Sequence, residues 1–386
     1  MARTDVPYNP SNPAVRNGWV SIYDSMIAGC LSVGERQLAA TFHEELLAMG
    51  VAPSANTFGI YITTLSDTFD EATEAVKIFQ RALAEGVTPT VFLFNAVIGK
   101  LGKARRIDDC LQYFAQMQAL GIRPSSVTYG TLVNALCRTS EETFAVEMFD
   151  EMEAAPNYRP RPAPYNSIIQ YFLNTKRDRA KVLQYYGRMR SRNIKPTSHT
   201  YKLLIESYAT LEPVNLTAAE TVLEDMRANG VAPEAVHYGS LIHARGCVLS
   251  DMAGARAIFD SVLADPSIKP TDNLYQNLLE TMVANHEVTA TPAVVEDMRR
   301  RGIAMTPYIA NTLIHGWAGS GEIEKAKSIY DSLGIEKREP STYEAMTRAF
   351  LSAEAHASAN DVVREMLGKG YPNAVADKIL GLIGST

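Results

Sequence analysis

The chain has 386 residues, of which 46% are hydrophobic and 21% are charged, a composition typical of folded soluble proteins. This excludes a disordered tail or a collagen, and the longest apolar runs are far shorter than the ~20 residues of a membrane-spanning helix. The formal net charge of −6 argues against a general polyanion binder, so any contact with nucleic acid is expected to be local.

One pattern recurs along the whole chain at intervals of 33 to 37 residues. A unit opens with a run that contains an aromatic residue, such as SVTYGTLVNALC from Ser126, and closes with a turn such as Gly-Ile-Arg-Pro at 121–124. The pattern predicts an extension over residues 1–19, ten tandem units over 20–373 and a capping helix over 374–386. The predicted units start at Val20, Ala55, Val91, Ser126, Pro162, Ser198, Ala235, Asp272, Pro307 and Pro340.

Each unit is predicted to be a pair of α-helices. Its apolar residues recur at helical spacing, as at Leu132, Val133 and Leu136. Glycine followed by proline closes the second helix, as at Gly121 and Pro124. Since one such hairpin cannot bury its apolar faces alone, the units must stack on one another. The expected fold is therefore an all-α solenoid, and the ten units leave no sequence for a separate catalytic domain.

The chain resembles the pentatricopeptide repeat family, whose units open with a Val-Thr-Tyr-Asn-like run and close with Met, a few residues and Gly-Ile-Lys-Pro. The matching segments include SVTYGTLVNALC, AQMQALGIRPS and GRMRSRNIKPT, and the resemblance covers residues 20–373. It implies a right-handed superhelix whose first helices line a concave face, where single-stranded RNA binds at about one nucleotide per repeat. The irregular unit lengths and the net charge are more like fungal or animal mitochondrial members than plant ones.

The resemblance also implies where bases are read. The reading positions are the residue after the aromatic and the last residue of a unit, and the second residue of a unit is an apolar clamp on the base. In plant members Asn95 with Ser125 would suggest cytosine, and Asn166 with Thr197 is a near match. Glycine occupies the first reading position three times, so most of the code is unreadable here. The RNA-binding residues expected on these grounds are Asn95, Ser125, Asn166, Thr197, Asn311, Phe92, Val127 and Val236.

Basic residues are concentrated in the middle of the chain. Residues 91–197 contain 16 basic and 9 acidic residues, whereas residues 198–386 contain 16 basic and 24 acidic ones. RNA binding requires cations along the path of the strand, so Lys100, Lys103, Arg105 and Arg106 are expected to contact phosphates. The alternative is that these side chains are solvated helix ends of an ordinary soluble solenoid.

The sequence predicts no enzyme, cofactor, metal site or small-molecule substrate. The four cysteines include no Cys-x-x-Cys pair and are interpreted as reduced core thiols, and the histidines lack the spacing of zinc ligands. The leading interpretation is an RNA-binding adaptor that acts on mitochondrial mRNA or rRNA in processing, stability or translation. The alternative is a protein-binding scaffold within a mitochondrial ribosome or gene-expression complex, with ribosomal or RNA-processing proteins as partners. The mitochondrial matrix is implied by the resemblance alone, since the chain has no recognisable presequence.

Overall fold

The computed structural model describes residues 7–66, 70–139, 141–156, 158–371 and 373–384, and throughout these residues the regular structure is helical. It consists of two compact units, residues 1–195 and 196–386, which are described separately. None of the described helices is long and apolar enough to cross a membrane.

The first compact unit contains five helical hairpins in series. Its helices are α1 (Pro13–Ser32), α2 (Arg36–Ala48), α3 (Ala55–Thr63), α4 (Glu71–Ala84), α5 (Val91–Lys103), α6 (Ile107–Ala119), α7 (Ser126–Cys137), α8 (Glu142–Ala154), α9 (Pro162–Tyr171) and α10 (Arg179–Ser191). Each odd-numbered helix packs on its own even-numbered partner and on the odd-numbered helix of the next hairpin, from α1 through α9.

The second compact unit repeats this arrangement. Its helices are α11 (Ser198–Thr210), α12 (Leu216–Ala228), α13 (Ala235–His243), α14 (Met252–Ala264), α15 (Asp272–Ala284), α16 (Thr291–Arg300), α17 (Pro307–Gly319), α18 (Ile323–Ser332), α19 (Pro340–Ser352), α20 (His356–Gly368) and α21 (Asn373–Gly384). The odd-numbered helices again form a continuous row in which each packs on the next, from α11 to α21. This serial packing is that of an all-α solenoid.

The helix starts follow the repeat pattern, with one difference. From Ala55 onward, the first helix of every hairpin begins at the residue predicted to start a unit. Helix α1, however, begins at Pro13 and not near Val20. The Asn12 side chain accepts hydrogen bonds from the backbone N–H groups of Ala14 and Val15, and Pro13 occupies the first turn, where a missing N–H costs nothing. Residues 13–19 of the predicted N-terminal extension are therefore helical and continuous with the first predicted unit.

The last residue of a repeat also caps the helix that follows. The side chains of Ser54, Thr90, Ser125, Thr197 and Thr306 each accept a hydrogen bond from a backbone N–H in the first turn of the next helix. A hydroxyl at this position satisfies one of the four N–H groups that the helix leaves unpaired. The pattern of Ser and Thr at repeat ends therefore has a structural cause that is independent of any ligand.

Two hairpins contain a wide π-helical turn that the sequence pattern did not predict. One turn, Phe172–Lys176, continues α9, and the other, Ala244–Val248, continues α13. In the second turn, a Cβ built on Gly246 would lie 1.7 Å from Cγ2 of Thr281 on α15. Only glycine allows this approach, so packing against the neighbouring hairpin accounts for the glycine at this position.

Candidate nucleic-acid interface

A groove of about 400 Å³ runs along helices α5, α7 and α9 in the first compact unit. Its floor is made of small residues, among them Gly99, Gly102 and Gly130. Three cations, Lys103, Arg138 and Arg161, lie on its walls, and the described residues that line it include no carboxylate. A polyanion is the ligand that such a charge distribution favours.

Lys103 is the cation of this groove that the sequence analysis selected, while Arg138 and Arg161 were missed. Arg138 follows the last turn of α7 and Arg161 precedes the first turn of α9, so both are exposed at helix ends. Their positions in the sequence are 23 residues apart and suggest no common surface. The signal available in the sequence was the excess of basic residues over 91–197.

Asn95 and Ser125, the pair predicted to read one base, are in contact. Asn95 Nδ2 donates to Ser125 Oγ at 3.4 Å, and Ser125 Oγ also accepts from the backbone N–H of Thr128. The other amide atom of Asn95, Oδ1, is buried and has no hydrogen-bond partner among the described residues. An unpaired buried polar atom is costly, and a ligand that pairs with it would recover that cost.

Asn311 repeats this arrangement in the second compact unit, but with another partner. Its Nδ2 donates to Ser341 Oγ at 3.0 Å, and its Oδ1 is also buried and unpaired within the described part of the chain. Ser341 is the second residue of the following repeat, whereas the family pattern would pair Asn311 with the last residue of its own repeat, Glu339. The amide is thus held in a similar way by a different residue.

Asn166 and Thr197 lie in different compact units, so each is described alone. Asn166 lies on α9 and only 7% of it is exposed, while Thr197 caps α11. At another reading position, Lys202 forms an ion pair at 2.8 Å with Glu206 on its own helix. The Glu234 carboxylate accepts a hydrogen bond from Ser198 at 3.0 Å.

The predicted apolar clamps differ in exposure. Phe92 and Val127 are 42% and 44% exposed, and Val127 lines the groove, whereas Val236 on α13 is half-buried. The Phe92 ring lies directly over Gly59 of the preceding repeat, where an added Cβ would be 2.4 Å from Phe92 Cε1. Gly59 therefore reads nothing itself but leaves room for the aromatic ring beside it.

The structure corrects the role predicted for Lys100. Its side chain is only 8% exposed, and its Nζ donates to the carbonyl of Leu65 and to Glu71 Oε2. Lys100 therefore joins two neighbouring hairpins and is not available to a phosphate. Lys103, about one turn later, is exposed.

The two arginines after α5 also differ. Arg105 is exposed in the turn, with a positive φ of 59°. Arg106 is engaged within the protein, since its Nε donates to Asp109 at 2.6 Å and its Nη1 donates to Thr73 at 3.0 Å. Arg105 and Lys103 are therefore the members of the predicted basic group that remain accessible.

Comparison with known proteins identifies the repeats. Models of the PPR repeat family, the pentatricopeptide repeat domain and the PPR repeat match residues 73–138, 113–175 with 157–211, and 308–334, respectively. The chain is 40% identical over 373 residues to the mitochondrial pentatricopeptide repeat-containing protein 5 of Schizosaccharomyces pombe. That alignment covers 94% of the chain and 30% of the relative.

The chain belongs to the pentatricopeptide repeat family. It is also 24% identical over 272 residues to the mitochondrial 15S rRNA processing factor CCM1 of Yarrowia lipolytica, over 68% of the chain and 34% of that protein. Among solved structures it is similar to the pentatricopeptide repeat protein PPR10 in complex with an 18-nt psaJ RNA element. The TM-score is 0.47, with 15% identity, 95% of the chain covered and 62% of that structure covered. The chain spans about a third of the length of the two fungal relatives.

Proposed function

We propose that this pentatricopeptide repeat chain binds single-stranded RNA through the groove along α5, α7 and α9, as a non-enzymatic adaptor in mitochondrial RNA processing, stability or translation. The observation that carries the proposal is the groove itself, where Lys103, Arg138 and Arg161 lie on the walls without an opposing carboxylate among the described residues. Cations along one path can replace the counterions of a nucleic-acid strand, which makes binding favourable and salt-dependent.

The unpaired amide atom of Asn95 supports recognition of a base next to this groove. Ser125 holds one side of the Asn95 amide, and the free Oδ1 would accept a hydrogen bond from the amino group of a base. Exposed Phe92 and Val127 offer apolar surface to the flat faces of bases. The family resemblance implies cytosine at this repeat.

The fungal relatives support the mitochondrial part of the proposal. One is a mitochondrial pentatricopeptide repeat-containing protein and the other is a mitochondrial 15S rRNA processing factor. A mitochondrial mRNA or rRNA is accordingly the proposed target, bound in the matrix.

A protein-binding scaffold is the second candidate function, and the second compact unit favours it. Residues 198–386 contain 24 acidic and 16 basic residues. Lys202 and Glu234 at reading positions bond to neighbouring side chains, and Glu344 pairs with Arg348 and Lys378. Side chains bonded in this way offer little to a base, so ribosomal or RNA-processing proteins are the partners proposed for this half.

A pair of charge reversals tests the RNA proposal. Arg138→Glu changes the groove, while Arg190→Glu makes the same change of charge at an exposed position on α10, outside the groove. Fluorescence anisotropy with homopolymer RNAs of about ten nucleotides should give about tenfold weaker binding for Arg138→Glu. The salt dependence should become shallower by about 0.7, the value for one phosphate of a single strand. Arg190→Glu should bind like the unmodified chain.

Two results would contradict the proposal. Equal weakening by both variants would mean that only the net charge matters, and no binding of any homopolymer or of a random RNA pool at low salt would favour the scaffold. The base preference is tested separately with Asn95→Ala, which should reduce discrimination among the homopolymers while leaving the salt dependence unchanged.

A further inference from the structure

Cys247 lies in a group of chemically reactive side chains that the proposed RNA site does not use. It occupies the wide turn Ala244–Val248 that continues α13, four residues after His243 on the same helical segment. The Cys247 sulfur also lies 3.6 Å from the hydroxyl oxygen of Thr281 on α15. Glu280, next to Thr281, places its Oε2 3.8 Å from His243 Nδ1. Cys247, His243 and Glu280 thus form one cluster where the end of α13 and the wide turn meet α15.

The surrounding backbone holds this group in position. Gly246 approaches Thr281 so closely that an added Cβ would lie 1.7 Å from Thr281 Cγ2. Asn285, the residue that follows α15, donates through its Nδ2 to the carbonyl of Gly246 at 2.9 Å. The backbone of the wide turn is therefore held against α15 at Gly246, the residue next to Cys247.

The electrostatic surroundings favour the thiolate form of Cys247. Burial alone would raise the pKa of this thiol, but the hydrogen bonds from His243 and Thr281 outweigh it, and the pKa is lowered despite the nearby Glu280. The pKa of His243 is raised, first by its hydrogen bond to Cys247 and further by the carboxylates of Glu280 and Glu206, against the effect of burial. Both pKa shifts are in the direction that favours the charged form of the group, a thiolate for Cys247 and an imidazolium for His243.

Other cysteines of the chain provide the contrast. Burial raises the pKa of Cys110 and of Cys137 to about 12, so these thiols are protonated and unreactive at neutral pH. Cys30 on α1 is half-buried, as Cys247 is, but it has no comparable histidine contact in the described structure. The environment of Cys247 is therefore not a general property of cysteines in this fold.

We propose that Cys247 is an oxidation site, at which hydrogen peroxide converts the thiolate to a sulfenic acid with the help of His243 and Glu280. The Cys247 sulfur attacks one peroxide oxygen, the O–O bond breaks and a new S–O bond forms. The sulfur is oxidised by two electrons, which the peroxide oxygens receive. The leaving hydroxide takes the proton of the His243 imidazolium and departs as water, and Glu280 holds the imidazole. This inference does not depend on RNA binding.

The side chains of this group are exposed enough for a small oxidant to reach them from solvent. Cys247 is half-buried, and the side chains of His243 and Glu280 are 38% and 33% exposed. All three side chains are therefore partly open to solvent, from which a small oxidant would arrive. A sulfenic acid formed there would lie among the His243 and Thr281 contacts, which supply the donors that stabilise it.

Peptide mass spectrometry after brief treatment of the full chain with hydrogen peroxide and dimedone, a trap for sulfenic acid, tests the proposal. At neutral pH the dimedone adduct on Cys247 should form at least about tenfold faster than on Cys30, Cys110 or Cys137, because an ordinary thiol is only a few per cent ionised there. Equal rates at Cys247 and Cys30 would overturn the proposal.

A second measurement separates activation by His243 from simple exposure. His243→Gln keeps the size and hydrogen-bonding capacity of the side chain but cannot carry a positive charge. It should slow alkylation of Cys247 by iodoacetamide about three- to tenfold at neutral pH and move the midpoint of the pH–rate profile upward, with an unchanged circular dichroism spectrum. An unchanged midpoint would show that the histidine does not activate the thiol, and the proposal would fail.

Discussion

Replacing Gly246 by alanine should destabilise the second compact unit strongly, although the same substitution usually stabilises a helix. The added Cβ would lie 1.7 Å from Cγ2 and 2.7 Å from Cβ and Oγ1 of Thr281. Thr281 is fully buried on α15, so it cannot rotate into solvent to make room. The wide turn and α15 must therefore move apart, which opens the packing between two neighbouring hairpins.

The expected size follows from two opposing effects. Overpacking a buried site costs about 1–3 kcal/mol, and a contact this short belongs at the upper end of that range. Replacement of a helical glycine by alanine recovers about 1 kcal/mol. Gly246→Ala should therefore lower the free energy of unfolding by about 2 kcal/mol. Gly368→Ala on α20 of the same compact unit, where an added Cβ meets nothing within 4 Å, should instead raise it by about 0.5–1 kcal/mol.

The assay should report on the second compact unit alone. The chain has two tryptophans, Trp19 on α1 and Trp317 on α17, and Trp317 is 4% exposed. In a Trp19→Phe background, urea unfolding followed by tryptophan fluorescence therefore measures the unit that contains Gly246. Thr281→Ser removes the nearest atom, Cγ2, and should restore part of the stability lost in Gly246→Ala. Equal effects of Gly246→Ala and Gly368→Ala would refute the packing argument.

Three other side chains give predictions about stability. Ser125→Ala removes the cap of α7 and should lower the free energy of unfolding in urea by about 1 kcal/mol. Ser125→Asp still caps the helix and should lower it less. No difference between the two variants would argue against the capping role of Ser125. Lys100→Met removes the donor to the buried carbonyl of Leu65 and should cost about 1–3 kcal/mol by the same assay, an effect that a merely solvated lysine would not have. Burial would raise the pKa of Glu365, but Arg338 and two tyrosine hydroxyls outweigh burial and lower it. The contribution of Glu365 to stability is therefore full above the ordinary pKa of a glutamate, about 4.3, and is lost as the pH falls through the lower pKa of the folded state. Glu365→Gln should make thermal stability depend less on pH in the acid range, and an unaltered dependence would contradict this assignment.

Because Ser125 caps α7, its role in the recognition of a base must be tested apart from its role in stability. A double replacement of Asn95 and Ser125 by alanine would alter the helix cap and the proposed base contact together. Two single variants avoid this. Ser125→Asp keeps the helix cap, and Asn95→Ala leaves Ser125 in place. Stability and RNA preference can then be measured independently.

The local structure of this protein was largely determined by its sequence. Apolar spacing and residues at helix ends are local signals, so the helix starts from Ala55 onward and the pairing into hairpins could be predicted. The repeat register also selected Asn95 and Ser125 as one pair of reading positions, although their mutual hydrogen bond was not predicted. The early start of α1 was missed because its Asn12–Pro13 cap lies outside the repeat pattern.

Only the tertiary structure decided which side chains are available. Lys100 and Lys103 lie three residues apart on one helix, but Glu71 and Leu65 of the preceding hairpin bury the first and not the second. Arg138 and Arg161 join Lys103 in one groove because helices distant in sequence pack side by side.

The surroundings of Cys247 were also decided by the tertiary structure. The sequence analysis interpreted it as a core thiol, and nothing in its immediate neighbours distinguishes it from the other cysteines. In the structure α15 places Thr281 beside Cys247 and Glu280 beside His243, four residues earlier in the chain. Its environment arises from contacts between neighbouring hairpins, and such contacts depend on the packing of helices that the repeat pattern alone does not specify.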